Sequence, residues 1–133
     1  MLKESEVKLT VSLDENNVPE KIIWDAPDVG TNAESKSAFL SVWDKNEQKT
    51  LSLNLWTKEM NTDEMKQFFH QTFVSMVESF ERAVPNEEEL VKDLYATCNY
   101  FAEKSKIITK EKLDELARKS SMNDDDVDLK NML

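Results

Sequence analysis

The amino-acid sequence predicts an α+β fold: a four-stranded antiparallel sheet made of two hairpins, packed on one face by two to three C-terminal helices. Apolar residues recur at every second position up to Thr57 and at spacings of three and four after Thr62. These are the side-chain periods of strands and of helices. Strands that come first and helices that follow are typical of α+β domains. With 133 residues, the chain is long enough for one domain with its own core.

The first hairpin is predicted from two segments, residues 7–13 and 18–25. Apolar and polar residues alternate along the first of them, which is typical of a half-buried strand. Residues 14–17 read Asp-Glu-Asn-Asn, a turn signal, because these side chains bond to their own backbone. Pro19 stands at the start of the second strand, where it removes no central ladder bond.

The polar segment 25–36 is predicted as a loop that connects the two hairpins. It contains Pro27 and the only glycine of the chain, Gly30. A loop of this length in a compact domain is often functional. An ordinary surface connection is the alternative interpretation.

The second hairpin is predicted from residues 37–44 and 49–57. A helix over residues 33–45 competes with its first strand, but the clean alternation of Leu51, Leu53 and Leu55 in the partner strand favours the hairpin. An even-length loop places all the apolar residues on one face, whereas a slip by one residue would mix the faces. The expected cross-strand pairs of this leucine face are Val42 with Leu51, Leu40 with Leu53, and Ala38 with Leu55.

The same register places three aromatic side chains on the opposite face of the hairpin, among small polar residues. Phe39, Trp43 and Trp56 are therefore the candidate partner-binding residues, because exposed aromatics often anchor protein interfaces. The alternative is that they only brace the two strands by cross-strand packing. If so, the loop at residues 25–36 is the next candidate surface.

Two long helices are predicted after the sheet. The first begins at Thr62, a capping residue followed by two acidic residues, and ends before Pro85. The second covers about residues 87–104. Both have one apolar side, and the first is expected to lie on the leucine face. The expected buried positions are Leu40, Val42, Leu51, Leu53, Leu55, Phe69, Phe73, Met76 and Phe80.

The remaining residues extend this domain. Residues 1–106 are predicted to form the single α+β domain, and residues 107–120 an additional helix. Residues 121–133 are acidic and poor in apolar side chains, which is typical of a flexible tail.

Charge and glycine content exclude several classes of function. The net charge of −10 opposes binding to nucleic acids and to anionic membrane surfaces. A single glycine is too few for the phosphate-binding loops of P-loop or Rossmann proteins. The N-terminal residues MLKESEVKLTVSL lack the apolar run and the small-residue cleavage site that are typical of a signal peptide. No segment reaches the roughly 20 apolar residues needed to cross a bilayer, and the single cysteine cannot form an internal disulfide. We therefore expect a cytoplasmic protein without direct membrane insertion.

No catalytic, metal-binding or cofactor-binding residues are expected. His70 is the only histidine, so no two-histidine zinc motif exists, and it is interpreted as a boundary or partner-contacting residue. Cys98 lies on the buried side of the second helix and is interpreted as a core residue. The acidic run around Asp124 and Asp126 lacks the glycine and the closing glutamate of a calcium loop.

Three segments together resemble the gliding-motility-associated protein C (GldC) family of gliding bacteria of the Bacteroidetes type. They read VPEKIIWDAPD, AFLSVWD and LNLWTKEMNTDEMKQFFHQTF, and the resemblance covers about residues 4–105. It implies a small protein linked to surface gliding and to type IX secretion, without enzyme activity or a cofactor.

Two classes of function remain open. The first is an accessory or adaptor protein of the gliding apparatus that acts by protein–protein contact. The second is a carrier that binds a small apolar ligand between the sheet and the helices, which requires an enclosed cavity. A hydrolase is excluded because the sequence offers no nucleophile–base pair. A homodimer formed sheet to sheet is the main competing use of the aromatic residues.

Overall fold

The computed structural model describes residues 3–107 and residue 118. The chain divides into two compact units, Met1–Asn61 and Thr62–Leu133. The described elements are five strands, one short 3-10 turn at Pro27–Val29 and two helices. Their bounds are β1 Lys8–Leu13, β2 Pro19–Ala26, β3 Thr31–Ser35, β4 Ser37–Trp43, β5 Thr50–Trp56, α1 Thr62–Ala83 and α2 Glu88–Ser105.

The predicted α+β class is confirmed, but the strands form two sheets. The order in the first sheet is β1-β2-β3, and β4 and β5 form a separate two-stranded sheet. All neighbouring strands are antiparallel. The four-stranded prediction therefore missed one strand, β3.

The segment 25–36, predicted as a loop, contains β3. Pro27 opens the 3-10 turn, and Gly30 ends it with a φ of 70° and an N–H bond of 3.0 Å to the Pro27 carbonyl. Glycine adopts this left-handed conformation without steric penalty. The chain then pairs with β2, from Ala26 opposite Thr31 to Ile22 opposite Ser35. Since β3 reads TNAES, it has no alternating apolar signal.

The turn between β1 and β2 is organised by Asp14, as its sequence predicts. The carboxylate accepts hydrogen bonds from the backbone N–H groups of Asn16 and Val18, at 2.8 and 2.9 Å. Its other oxygen pairs with the ammonium of Lys58, which follows β5. Asp14 thus fixes the β1–β2 turn to the segment that leaves β5.

Replacing Asp14 by Asn is expected to make thermal stability less dependent on pH in the acid range. The hydrogen bond from the Lys58 ammonium, followed by the one from the Val18 N–H, lowers the pKa of Asp14 from its usual 3.8. A carboxylate whose pKa is lower in the folded state stabilises the protein above its usual pKa. That contribution disappears as the pH falls through the lowered value. The melting temperature of D14N should lie below that of the parent at pH 7, and the two should converge below about pH 3.8.

Tryptophan fluorescence, followed at a series of pH values, measures these melting temperatures. E47Q is the matched control, because it breaks an exposed ion pair of 2.9 Å with Lys49 and exposed pairs contribute little. A difference in melting temperature between D14N and the parent that stays constant down to pH 2 would show that the ionised Asp14 carboxylate is not the source of the stabilisation.

The second sheet has the predicted register. Val42 pairs with Leu51, Leu40 with Leu53, and Ala38 with Leu55. A helix over residues 33–45, the competing prediction, is wrong, because the described chain is a strand there. The tip is closed by the Asp44 side chain, which accepts hydrogen bonds from the N–H groups of Asn46 and Glu47 at 3.1 and 2.6 Å.

A pair of hydrogen bonds to Lys36 anchors the end of β5. The Lys36 carbonyl, between β3 and β4, accepts the Thr57 N–H at 2.8 Å and the Thr57 hydroxyl at 2.9 Å. Thr57 is only 3% exposed, so both of its donors are satisfied in a buried place. β4 and β5 are therefore held together at the tip and at the base.

The helices have nearly the predicted bounds. Val77 of α1 packs with Val91 and Cys98 of α2 to form the centre of the second unit. The Tyr95 hydroxyl donates a hydrogen bond of 3.1 Å to Glu81 across the helix pair. Burial, and then this bond, raise the pKa of Tyr95.

Most of the predicted core positions are not buried. Ile22 is fully buried and Ala26 is 4% exposed in the first sheet, whereas the leucine face of β4–β5 is about half exposed. Leu55, Phe73 and Phe80 are partly exposed. The positions for which the prediction is wrong, with their exposed fractions, are Leu40 49%, Val42 50%, Leu51 46%, Leu53 48%, Phe69 47% and Met76 61%.

The predicted third helix over residues 107–120 lies outside the described residues, except for Ile107 and Arg118. The predicted tail at residues 121–133 lies wholly outside them. Both stay predictions.

Candidate functional site

The face of β4–β5 opposite the leucines carries the candidate residues. We call it the aromatic face, defined by Ser37, Phe39, Ser41 and Trp43 of β4 and by Thr50, Ser52, Asn54 and Trp56 of β5. The register places Trp43 opposite Thr50, Phe39 opposite Asn54, and Trp56 opposite Ser37. Side chains alternate between the two faces of a strand, so these residues cannot share the side of Leu40 and Leu53.

The two indoles of the aromatic face are open to solvent. Trp43 is 68% exposed and Trp56 is 56% exposed. Phe39 is partly buried between them along β4. The two tryptophans stand at opposite ends of the hairpin, because Trp43 ends β4 next to the tip and Trp56 ends β5 at the base. They therefore frame a surface about seven residues long.

Small polar groups fill the middle of the aromatic face. The hydroxyls of Ser41 and Ser52 lie 3.0 Å apart in a cross-strand hydrogen bond. A shallow face of this kind, with two aromatic ends and a polar centre, suits a flat protein surface and is too open to enclose a small molecule.

A second feature of the first unit is an acidic cleft of about 330 Å³ at the base of the hairpin. Its lining residues are Glu20, Glu34, Ser35, Lys36, Thr57 and Glu59. They come from β2, from β3 and the residue that follows it, and from the segment after β5. No sequence pattern predicts this cleft, because only the strand pairing brings these distant residues together.

No metal site is found in the part of the chain that the structure describes. There, no group of three or more His, Cys, Asp or Glu side chains is placed to hold an ion. The acidic run around Asp124 and Asp126 lies outside that part.

His70 has a different position from the predicted one. It is 8% exposed, and its ring stacks against that of Phe101 in α2, with ring centroids 6.1 Å apart. Its Nε2 atom has no hydrogen-bond partner among the described residues. The interpretation of His70 as a boundary residue is therefore wrong, whereas contact with a partner stays a prediction. The buried side of α1 is wider than the sequence analysis assumed, and it includes His70, which packs against α2.

Cys98 has the predicted position. It is 2% exposed, and burial raises the pKa of its thiol. A thiol with a raised pKa is a poor nucleophile at neutral pH. Cys98 is therefore a packing residue of the α1–α2 core.

The family model of gliding motility-associated proteins described as GldC-like matches residues 19–107. This range begins at β2 and ends two residues after α2, so it includes the aromatic face and the complete helix pair. It is well over half of the chain.

The chain belongs to the GldC-like family.

The predicted resemblance is thereby confirmed, and this GldC-like chain is a gliding-motility-associated protein. No curated protein and no solved structure matched it. Neither α1 nor α2, the helices of the described part, is long and apolar enough to cross a membrane.

Proposed function

We propose that this GldC-like chain is a non-enzymatic, cytoplasmic adaptor of the gliding machinery linked to type IX secretion. It binds a protein partner through the aromatic face. The observation that carries the proposal is the pair of exposed indoles, Trp43 at 68% and Trp56 at 56%, on a regular hairpin. Tryptophan is the residue type most often found as an energetic anchor in protein interfaces.

The composition of the aromatic face supports an exchangeable partner. It mixes large rings with Ser, Thr and Asn side chains, and interfaces of non-obligate complexes keep such polar groups. A protein that binds its partner reversibly needs a binding surface that stays well hydrated when the partner is absent. The side chains of Ser41, Ser52 and Asn54 can bond to water in the free protein.

Charge adds a constraint on the partner. The chain carries a net charge of −10, which slows the approach of acidic proteins and accelerates the approach of basic ones. We therefore expect a partner with a basic rim around an apolar contact. Anionic lipid and nucleic acid are disfavoured for the same reason.

Within either unit, no observation on the described residues favours the carrier alternative. A carrier needs an enclosed cavity of a few hundred Å³. The acidic cleft is lined mostly by charged and polar residues. The groove along α1, lined by Phe68, Thr72 and Met76 among others, is open to solvent. We therefore propose the adaptor alone.

Replacing both Trp43 and Trp56 by Ser is expected to abolish capture of the partner by the purified, tagged chain. A hot-spot tryptophan contributes about 2 kcal/mol or more, so the loss of two corresponds to at least a hundredfold weaker binding. The measurement is quantitative mass spectrometry of proteins retained from lysates of a gliding bacterium, with parent and variant compared side by side. Far-UV ellipticity and melting temperature should be unchanged, because both indoles are mostly exposed.

Y100S is the matched control. Tyr100 of α2 is 61% exposed, so this variant also removes a large exposed aromatic, but in the other unit. It should retain the same partner at the parent level. If W43S/W56S is folded and retains the partner as well as Y100S does, the aromatic face is not the binding surface.

A further inference from the structure

A short segment joins the two compact units of the chain. β5 ends at Trp56, the first unit ends at Asn61, and α1 begins at Thr62. Residues 57–61 therefore connect the second sheet to the first helix, and we call residues 58–61 the joint. The contacts that hold these residues decide how much free chain separates the two units.

Thr57 fixes the beginning of this connection. Its N–H and its hydroxyl both donate hydrogen bonds to the Lys36 carbonyl, at 2.8 and 2.9 Å. The Thr57 carbonyl in turn accepts a hydrogen bond of 3.1 Å from the Met60 N–H. That bond closes a turn with Lys58 and Glu59 at its two central positions.

A carboxylate from another part of the first unit holds this turn. The Lys58 ammonium pairs with Oδ2 of Asp14, whose Oδ1 accepts the N–H groups of Asn16 and Val18 at 2.8 and 2.9 Å. The Asp14 side chain is only 12% exposed. Exposed ion pairs are usually weak, partly because two mobile side chains must be fixed. Here the backbone has already fixed the carboxylate, so only the lysine loses freedom.

A second acidic residue lies near the Lys58 ammonium but acts on it differently. The hydrogen bond with Asp14 is the main cause that raises the pKa of Lys58, and the charge of Glu20 in β2 adds a smaller contribution. The same hydrogen bond is the first cause that lowers the pKa of Asp14. Both partners are therefore charged at neutral pH, and Glu20 supplies charge alone.

We propose that Asp14 and Lys58 form a latch that keeps the joint short. With the latch closed, the turn is fixed as far as Met60, and the steps from Met60 to Thr62 span at most about 7 Å. With the latch open, the turn can unwind, and the steps from Thr57 to Thr62 span up to about 17 Å. Both latch residues belong to the first unit, and the latch does not depend on partner binding by the aromatic face.

Opening the latch leaves the strand pairing of the first unit in place. The turn lies beyond the pair that closes the base of the second sheet, Trp56 with Ser37. The two hydrogen bonds from Thr57 to the Lys36 carbonyl do not involve Lys58 either. The joint can therefore lengthen by about 10 Å while both sheets keep their register. The latch adjusts the reach of the chain at the place where its two units are joined.

Hydrogen exchange of single backbone amides, followed by NMR on the full chain at pH 7, tests the latch. In D14N, the Met60 N–H should exchange about fivefold faster than in the parent, because a bonded ion pair no longer holds the turn. The asparagine keeps a carbonyl oxygen for the two N–H groups of the β1–β2 turn. The Thr57 N–H is the internal reference, and it should remain protected to the same degree.

K58M removes the other half of the latch and leaves the β1–β2 turn untouched. It should speed up exchange of the Met60 N–H as D14N does, and the double variant D14N/K58M should add nothing further. E20Q is the matched control, because it removes a charge near Lys58 without removing a hydrogen bond, and it should exchange like the parent.

Three results would overturn the latch. The first is a Met60 N–H that stays as protected in D14N and K58M as in the parent. The second is an E20Q variant that loses as much protection as D14N, since charge alone would then account for the effect. The third is an equal loss of protection at Thr57, which would mean that the base of the hairpin melts as a whole.

Discussion

Replacing Ile22 by Ala is expected to lower the free energy of unfolding of the first unit by about 2–5 kcal/mol. Ile22 is 0% exposed, and it is the largest fully buried side chain of the described residues. It lies in the middle of β2, paired with Val11 on one side and with Ser35 on the other. Removing three carbon atoms there leaves a cavity that neither neighbouring strand can fill, since both are fixed by ladder hydrogen bonds.

Tryptophan fluorescence during urea unfolding measures this change. All three tryptophans, Trp24, Trp43 and Trp56, lie in the first unit, so the signal reports on that unit. I23A is the matched control, because Ile23 is the next residue of β2 on the opposite face and is only partly buried. It should lose clearly less stability. Equal losses for I22A and I23A would show that Ile22 is not the centre of this sheet.

Replacing Val77 by Asp is expected to disrupt the α1–α2 pair. Val77 is 3% exposed and lies against Val91 and Cys98. These neighbours cannot neutralise a carboxylate or donate a strong hydrogen bond to it. An uncompensated charge in such a place costs about 3–5 kcal/mol, a large part of the stability of a domain of this size.

Ellipticity at 222 nm measures the helix content of the variant. S75D is the matched control, because Ser75 is exposed on the same helix and receives the same new charge. It should retain the parent signal and melting temperature within a few degrees. A V77D variant that melts like S75D would mean that α1 and α2 do not depend on the Val77 contact.

The sequence predicted those elements whose local pattern and long-range pairing agree. The register of β4 and β5 followed from one fact: only the pairing of Leu40 with Leu53 gathers all the apolar residues on one face. The start of α1 near Thr62 followed from the acidic residues of its first turn, Asp63 and Glu64. In these places tertiary structure only reinforced what the local sequence favours.

The missed strand shows where local patterns fail. β3 consists of Thr, Asn, Ala, Glu and Ser, none of which gives a strong strand signal. It forms because β2 offers a free edge with unpaired backbone groups, and the turn ended by Gly30 directs the chain along that edge. The formation of β3 thus depends on backbone groups of β2, and the side-chain pattern of residues 31–35 does not encode that pairing.

The predicted core failed for a different reason. Leu40 and Leu53 were assigned to the core because apolar positions of an amphipathic strand are usually covered. Periodicity shows which side chains share a face, but it does not identify what lies on that face. The same limit applies to the candidate site. The alternation of side chains along the strands places Trp43 and Trp56 on the face opposite the leucines, but only the structure shows that these two side chains are exposed to solvent.

Gliding itself tests most directly whether the aromatic face is the working surface. Colony spreading is measured in a gliding bacterium whose own copy has been deleted and which carries the parent, W43S/W56S or Y100S. Immunoblots confirm equal protein levels. We expect the parent and Y100S to restore spreading, and W43S/W56S to leave it at the level of the deletion strain. Full spreading with W43S/W56S at the parent protein level would contradict the assignment of the aromatic face.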